Sequence, residues 1–317
     1  VLLEQVLLHT GLPLVVLDPN SDFVRLGSVR HDAPPAEAAA LGERDIRVLR
    51  PAAEGDERLL VRFVDMDIRS RAAMLQLDPI RDADEYNVML RFGRHDLTEI
   101  DGPVTDWLRS SGDADFARIA TRIENLGLTD WDMWAWGNRD VTEIVADRAD
   151  ATVIDLGNFA AAAQAQTVAL AVLDDLWARR HERTGRLIVI DEAHNLCSPE
   201  AATPLARLLA ERIIQIAAEG RKYGLWLLLS TQRPSKLHPN VISQCDNLAL
   251  MKMSSTRDLE ALGKIFGFAP QEMLDRSPGF AQGQGLFAGG FASEPQLVQM
   301  GARLTHEGGS DVPIPLR

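Results

Sequence analysis

Four apolar residues, Leu187-Ile188-Val189-Ile190, run directly into two acids, Asp191 and Glu192. In a nucleotide hydrolase the first acid at such a strand end holds Mg2+ through water, and the second polarises the attacking water. Acids in this position also arise simply to cap the next helix. A second apolar run, Leu225-Trp226-Leu227-Leu228-Leu229, ends in Ser230-Thr231-Gln232. Gln232 is therefore expected beside the acids, either sensing the γ-phosphate of ATP or orienting the water, or else as a loop residue satisfying backbone groups. Between the two runs stands Glu219-Gly220-Arg221-Lys222-Tyr223-Gly224. Cations at a helix C-terminus complement its dipole. Their functional reading is that Arg221 or Lys222 reaches a phosphate across a subunit boundary and stabilises transition-state charge.

These residues need strands that end on a common edge. Short apolar runs alternate with helical patterns, which is the signature of βαβ units and a mainly parallel sheet in an α/β fold. Residues 14–17, 152–154, 187–190, 225–229 and 248–251 are predicted as central strands, with helices over 161–182, 199–222 and 256–266. Leu205, Leu208, Leu209, Arg212, Ile213 and Ile216 keep close to a 3.6 period, so that helix packs on the sheet. Residues 67–150 interrupt the alternation and read as a helical insertion or lid. Its Trp107, Trp131, Trp134 and Trp136 are core of that unit or, alternatively, a stacking surface for DNA. The glycines after Pro278 lack the strand before and the Lys-Ser or Lys-Thr after that a phosphate cradle needs, so 280–288 and 294–300 are predicted as a β-hairpin. The division expected is a first core part over 1–66, the insertion over 67–150, the rest of the core over 151–305, and a C-terminal arm over 306–317.

Composition narrows the class. With 46% hydrophobic and 25% charged residues, the 317-residue chain reads as a soluble globular protein, and no apolar stretch approaches the ~18 residues of a membrane span. Cys197 and Cys245 stand far apart with no close His pair, which argues against structural zinc and for a reduced, cytoplasmic setting. A net charge of −13 counts against a broad basic DNA-coating face, though not against a narrow basic pore. Arg233, Lys236 and His238, in the stiff loop with Pro234 and Pro239, are the candidates for DNA contact; a solvated loop is the alternative.

Taken in order, the run from Leu187 to Asn195, then Glu219 to Gly224, then Ser230-Thr231-Gln232-Arg233-Pro234-Ser235, then Ser243-Gln244-Cys245-Asp246-Asn247 resembles the HerA-type ATPases of the FtsK/HerA branch. Asp18-Pro19-Asn20-Ser21-Asp22-Phe23 is similar to the segment after their first strand, and Arg257-Asp258 to the start of a later helix. The resemblance implies a RecA-like P-loop NTPase core that binds ATP and Mg2+. It implies a homohexameric ring translocating double-stranded DNA in repair or antiviral defence, alongside a nuclease or a sirtuin-like effector. By motif it makes Asp191 the Mg2+ carboxylate, Glu192 the catalytic carboxylate, Gln232 the sensor and Arg221 the finger; His194, in the matching block, is expected to orient or couple and take no direct part in hydrolysis. The alternative role is a ring that binds ATP and assembles a partner enzyme with little translocation.

One departure stands out. No G-x-x-x-x-G-K-[ST] occurs in these residues, so no loop here supplies the backbone nest and Lys that hold β- and γ-phosphates. The resemblance places that loop just before the helix at residues 1–11, that is, upstream of Val1, together with an N-terminal β-barrel. Val1 is accordingly expected to be a truncation point and the fragment inactive by itself.

Overall fold

A computed structural model describes residues 1–92, 100 and 102–309. Its strands are β1 Leu14–Asp18, β2 Ile46–Leu49, β3 Ala151–Asp155, β4 Arg186–Ile190, β5 Leu225–Leu229, β6 Asn247–Leu250, β7 Gln284–Gly289 and β8 Gln296–Gln299. The first five form a parallel sheet in the order β2-β3-β1-β4-β5. At its centre Leu14, Val15, Val16 and Leu17 are wholly buried. Val15 and Leu17 join Ile154, Ile188 and Ile190 in the core on one face, while Leu14 and Val16 join Val153 and Val189 on the other. Burial on both faces is why these strands are unbroken apolar runs, each enclosed Val or Leu contributing roughly 1.5–3 kcal/mol.

Parallel neighbours require crossovers, which helices supply. The helix Ala162–Ala178 links β3 to β4, and Pro204–Glu219 links β4 to β5. Val168 to Leu173 are all buried, because this helix lies between the sheet and the helical segment. The second helix starts five residues later than expected: Thr203 Oγ1 accepts the Ala206 N–H and Pro204 takes a first-turn position, together fixing the start.

Three strand expectations need correction. Residues 248–251 do not enter the large sheet; β6 pairs antiparallel with β7, and β7 with β8, in a separate sheet. The run is short, and its half-exposed pattern shows that only one side meets the core. β2 went unpredicted because it is an edge strand carrying Arg47, without a continuous apolar run. The hairpin itself exists but is shorter than expected, since a 3-10 turn at Ser277–Gly279 and Gly283 at φ 74° precede β7.

Between β2 and β3 lie helices Ile68–Met74, Ala83–Phe92, Val104–Ser110, Ala114–Asn125 and Val141–Ala146. A capping box, Asp140 with Glu143, starts the last of them. Trp134 is buried, donates Nε1–H to the Leu128 carbonyl at 2.7 Å, and stacks on Trp131 at 5.8 Å. Trp107, Trp131 and Trp136 pack half-buried against the same cluster, which continues without a break onto the sheet. The tryptophans are thus used as core.

Of the expected arm, residues 306–309 are described. The chain just before them is held to the first helix, Leu2–His9, by a buried carboxylate: Glu4 Oε1 accepts the N–H groups of Leu304 and Thr305 and the Thr305 hydroxyl, all within 3.0 Å. Glu4→Ala would strand two buried N–H donors, and is expected to cost about 3 kcal/mol in urea unfolding, against about 1 kcal/mol for Thr305→Val. Equal losses for the two variants would show that the charged acceptor is not what holds this segment.

Candidate active site

All five strands of the large sheet point the same way, so whatever follows them gathers at one edge. β1, β3 and β4 are adjacent, and each ends in or is followed by an aspartate: Asp18, Asp155 and Asp191. Asp18 and Asp155 are fully enclosed, Asp191 and Glu192 nearly so. Charges excluded from a two-faced apolar core sit at strand ends such as these, and each then needs hydrogen bonds.

Asp18 finds them in its own loop, accepting the N–H of Asp22 at 3.0 Å and of Phe23 at 2.8 Å. Burial nevertheless pushes its carboxyl up to about 6; the two N–H groups pull the other way and neighbouring Asp155 adds to the rise. Asp155 accepts from Ser21 Oγ at 2.7 Å, Asn158 Nδ2 at 2.7 Å and the Gly157 N–H at 3.1 Å. The loops after β1 and β3 are thereby locked together, and a Cβ at Gly157 would lie 2.7 Å from both the Pro19 carbonyl and Ser21 Oγ.

Asp191 is anchored by its N–H on the Leu17 carbonyl. Burial raises its carboxyl above the ordinary range, opposed by a Ser230 hydrogen bond. Glu192 sits in left-handed backbone at φ 41°, a conformation that costs a non-glycine residue energy and recurs at functional sites. The kink is held by Ala193 N–H on the Ser230 carbonyl and Asn195 N–H on the Glu192 carbonyl, both at 2.8 Å. His194 Nδ1 lies 3.1 Å from Glu192 Oε2 and 3.0 Å from Thr231 Oγ1. The Gln232 N–H approaches the same Oε2 at 3.4 Å. β4 and β5 are thus stitched at their ends through Glu192, His194 and Thr231.

The structure therefore brings Asp191, Glu192, His194 and Gln232 together, with the Gln232 side chain exposed. It does not bring Arg221 or Lys222 to them. Both precede β5, at the opposite edge of the sheet, and Arg221 is exposed, pairing with Asp246 at 3.2 Å. From the same chain neither reaches the carboxylates. Arg233 and Lys236 are exposed on the loop after β5, whereas His238 Nδ1 accepts the Asn240 N–H and so caps a short helix. Sequence reasoning gave no role to Asp18, Asp155 or Arg303, although the repeated ending of strands in Asp was visible. Arg303 donates to the Asp22 carbonyl at 3.4 Å and pairs with Glu307 at 3.1 Å, placing the C-terminal segment beside this edge. Asp22 in turn is raised by burial and by the nearby Asp191 and Glu307.

A divalent cation fits this donor set in one way. Among the described residues no group of three or more ligating side chains gathers, so an all-protein cage is not on offer. Mg2+ is commonly held by one or two carboxylates together with water and nucleotide phosphates, and Asp191, buried with a raised carboxyl, is where its charge would be neutralised.

No protein-family model matches the chain. The DNA double-strand break repair helicase HerA of Pyrococcus furiosus is 27% identical over 114 residues, 36% of this chain and 20% of the relative. HerA of Sulfurisphaera tokodaii is 30% identical over 114 residues, 36% of this chain and 22% of the relative. The matched stretch thus spans about a fifth of the length of these curated relatives. Among solved structures, VirB4 of Thermoanaerobacter pseudethanolicus superposes with a TM-score of 0.59 at 15% identity, over 92% of this chain and 82% of that one. The bacterial conjugative coupling protein TrwB gives 0.56 at 11% identity, over 95% and 80%. The likeness to HerA-type ATPases is carried by sequence over about a third of the chain, and the RecA-like P-loop fold by structure over nearly all of it.

Two outcomes check the geometry. Gly157→Ala forces backbone apart where the two loops interlock and is expected to cost roughly 1–3 kcal/mol in chemical denaturation. Because the folded pKa of Asp18 lies above its unfolded value, its contribution to stability is fully present below about pH 4 and is lost as pH rises through about 6. Carboxyl-carbon NMR should show Asp18 titrating near 6; an ordinary midpoint below 4 would contradict the burial described.

Proposed function

We propose that this chain, similar in sequence to HerA-type helicases, is part of an ATP-driven DNA translocase in which Asp191 and Glu192 form one half of an intersubunit ATPase centre. The observation that carries the reading is the cluster at the carboxyl edge of the sheet: Asp191 buried beside Glu192, whose carboxylate meets His194 and the Gln232 backbone. Here Asp191 binds Mg2+ through water, Glu192 takes the proton of the attacking water, and His194 holds the Glu192 oxygen in place. Gln232, exposed next to it, faces the terminal phosphate. Arg221, with Lys222 beside it, lies at the far edge of its own sheet and is exposed, which suits action on the site of a neighbouring subunit in a homo-oligomeric ring.

The open side of β5 supports the same reading. All five residues of β5 are apolar, yet among the described residues it is an edge strand, with Trp226 41% exposed. A wholly apolar strand at a free edge is a place for another strand to pair. A strand bearing the phosphate-binding loop, supplied from outside these residues, would complete the sheet there and set the loop beside Gln232. The net charge of −13 favours a second reading, in which the ring assembles a nuclease or a sirtuin-like effector and moves little DNA.

The test is ATP turnover of the full-length protein with and without duplex DNA. Glu192→Gln is expected to lower kcat at least 100-fold while leaving nucleotide binding within a few-fold. Turnover at the wild-type rate in that variant would remove Glu192 from the chemistry. Turnover that ignores DNA at every salt concentration would favour the assembly role.

A further inference from the structure

At the amino-terminal edge of the large sheet, opposite the carboxylates, a cavity of about 50 Å³ is lined by Arg148, Arg179, Arg180 and Arg186, with Asp175 and Glu182. A single buried water needs only ~10–15 Å³ on this measure, so there is room for a small polyatomic group. Most of these residues come from one run, Arg179-Arg180-His181-Glu182-Arg183-Thr184-Gly185-Arg186, in a chain whose net charge is −13.

The partners of each cation can be traced. Arg148 spends both its terminal nitrogens on the carbonyls of Thr184 and Gly185, at 2.9 and 3.1 Å, and so holds the loop before β4. Arg179 pairs with Asp175 at 2.9 Å. Arg180 donates one nitrogen to the Trp177 carbonyl at 2.7 Å and lies 4.6 Å over the Trp177 ring, but its Nε is buried without a partner. Arg186, the first residue of β4, is 6% exposed, and among the described residues its guanidinium has no hydrogen-bond or ion-pair partner. Four guanidinium groups therefore face two carboxylates, one already engaged. Buried charges are ordinarily paired. Burial, and then the neighbouring Arg148, pushes Arg186 down to about 10, while Asp175 and Glu182 attract it from beyond ion-pair distance.

We propose that this cavity is a binding site for one tetrahedral oxyanion of the phosphate class, held by Arg186 and Arg180. The planar fork of a guanidinium matches two oxygens of such an anion at once. The cavity is far below the ~300 Å³ of a pocket for a drug-sized ligand, so it takes a free anion or a terminal phosphate and not a nucleoside. The carbonyl end of the helix Ala162–Ala178 lies at the same edge and opposes an anion. Arg180 covers one of those carbonyls, and the excess of cations outweighs the rest.

Calorimetry and thermal unfolding of the full-length protein, titrated with inorganic phosphate against sodium chloride at equal ionic strength, test the site. A nonhydrolysable ATP analogue is kept saturating, so that the carboxylate edge does not contribute. Saturable phosphate binding is expected in the wild type, weakened at least tenfold in Arg186→Gln and in Arg180→Gln. The phosphate-free melting temperature of Arg186→Gln should equal or exceed that of the wild type, because an unpaired buried charge is gone. Displacement of phosphate by a 5′-phosphorylated duplex, but not by its 5′-hydroxyl counterpart, supports the site with a nucleic-acid end as the source. Phosphate binding that resists both supports it with free phosphate as the source. A phosphate response no greater than that of chloride, or one unchanged in both variants, overturns the site.

Discussion

Burial of β3, β1 and β4 on both faces is the constraint from which the rest follows. A strand enclosed on both sides can carry no charge along its length, so every ionisable group it delivers must come at an end. At the carboxyl ends these are Asp18, Asp155, Asp191 and Glu192; at the amino end of β4 it is Arg186. Among the enclosed charges that these strands deliver, the acids thus lie at one edge and Arg186 at the other. Parallel direction does the sorting, since an antiparallel neighbour would have put the corresponding ends on opposite edges.

The two edges solve the cost of enclosed charge differently. Asp155 is surrounded by donors from two loops, and Asp18 by the backbone of its own loop. Both order the loops that follow β1 and β3. The strain at Glu192 is paid for by its neighbours' backbone hydrogen bonds, which fold the chain sharply so that its carboxylate turns toward His194 and the end of β5. At the other edge Arg186 has no such compensation among the described residues, which is why it reads as a place for something else to bind.

Much of this was legible before any coordinates. Strands β1, β3, β4 and β5 announce themselves as apolar runs because each belongs to one buried sheet, and Asp191, Glu192 and Gln232 follow from where those runs stop. β2 was illegible because an edge strand with Arg47 at its centre has no run to read. β6 misled because a short apolar stretch of four residues looks alike whether one or both of its faces are buried. The basic run 179–186 was in plain view, yet its charges pass for helix-end and loop residues until the fold shows which of them lack partners.

By itself the sequence determined the periodicities, hence the α/β class, the parallel sheet, and the acids that terminate β4. Those are local properties: strand propensity, alternation and stop signals act over a few residues. Only the tertiary structure decided that Arg221 and Lys222 sit at the far edge from the acids, that Asp155 binds Ser21 across 134 positions, that Glu4 holds Thr305 across 301, and that Arg186 is enclosed without a direct ion pair among the described residues. Such facts depend on which distant segments are brought together and on what they leave unpaired, and no window along the chain contains both partners.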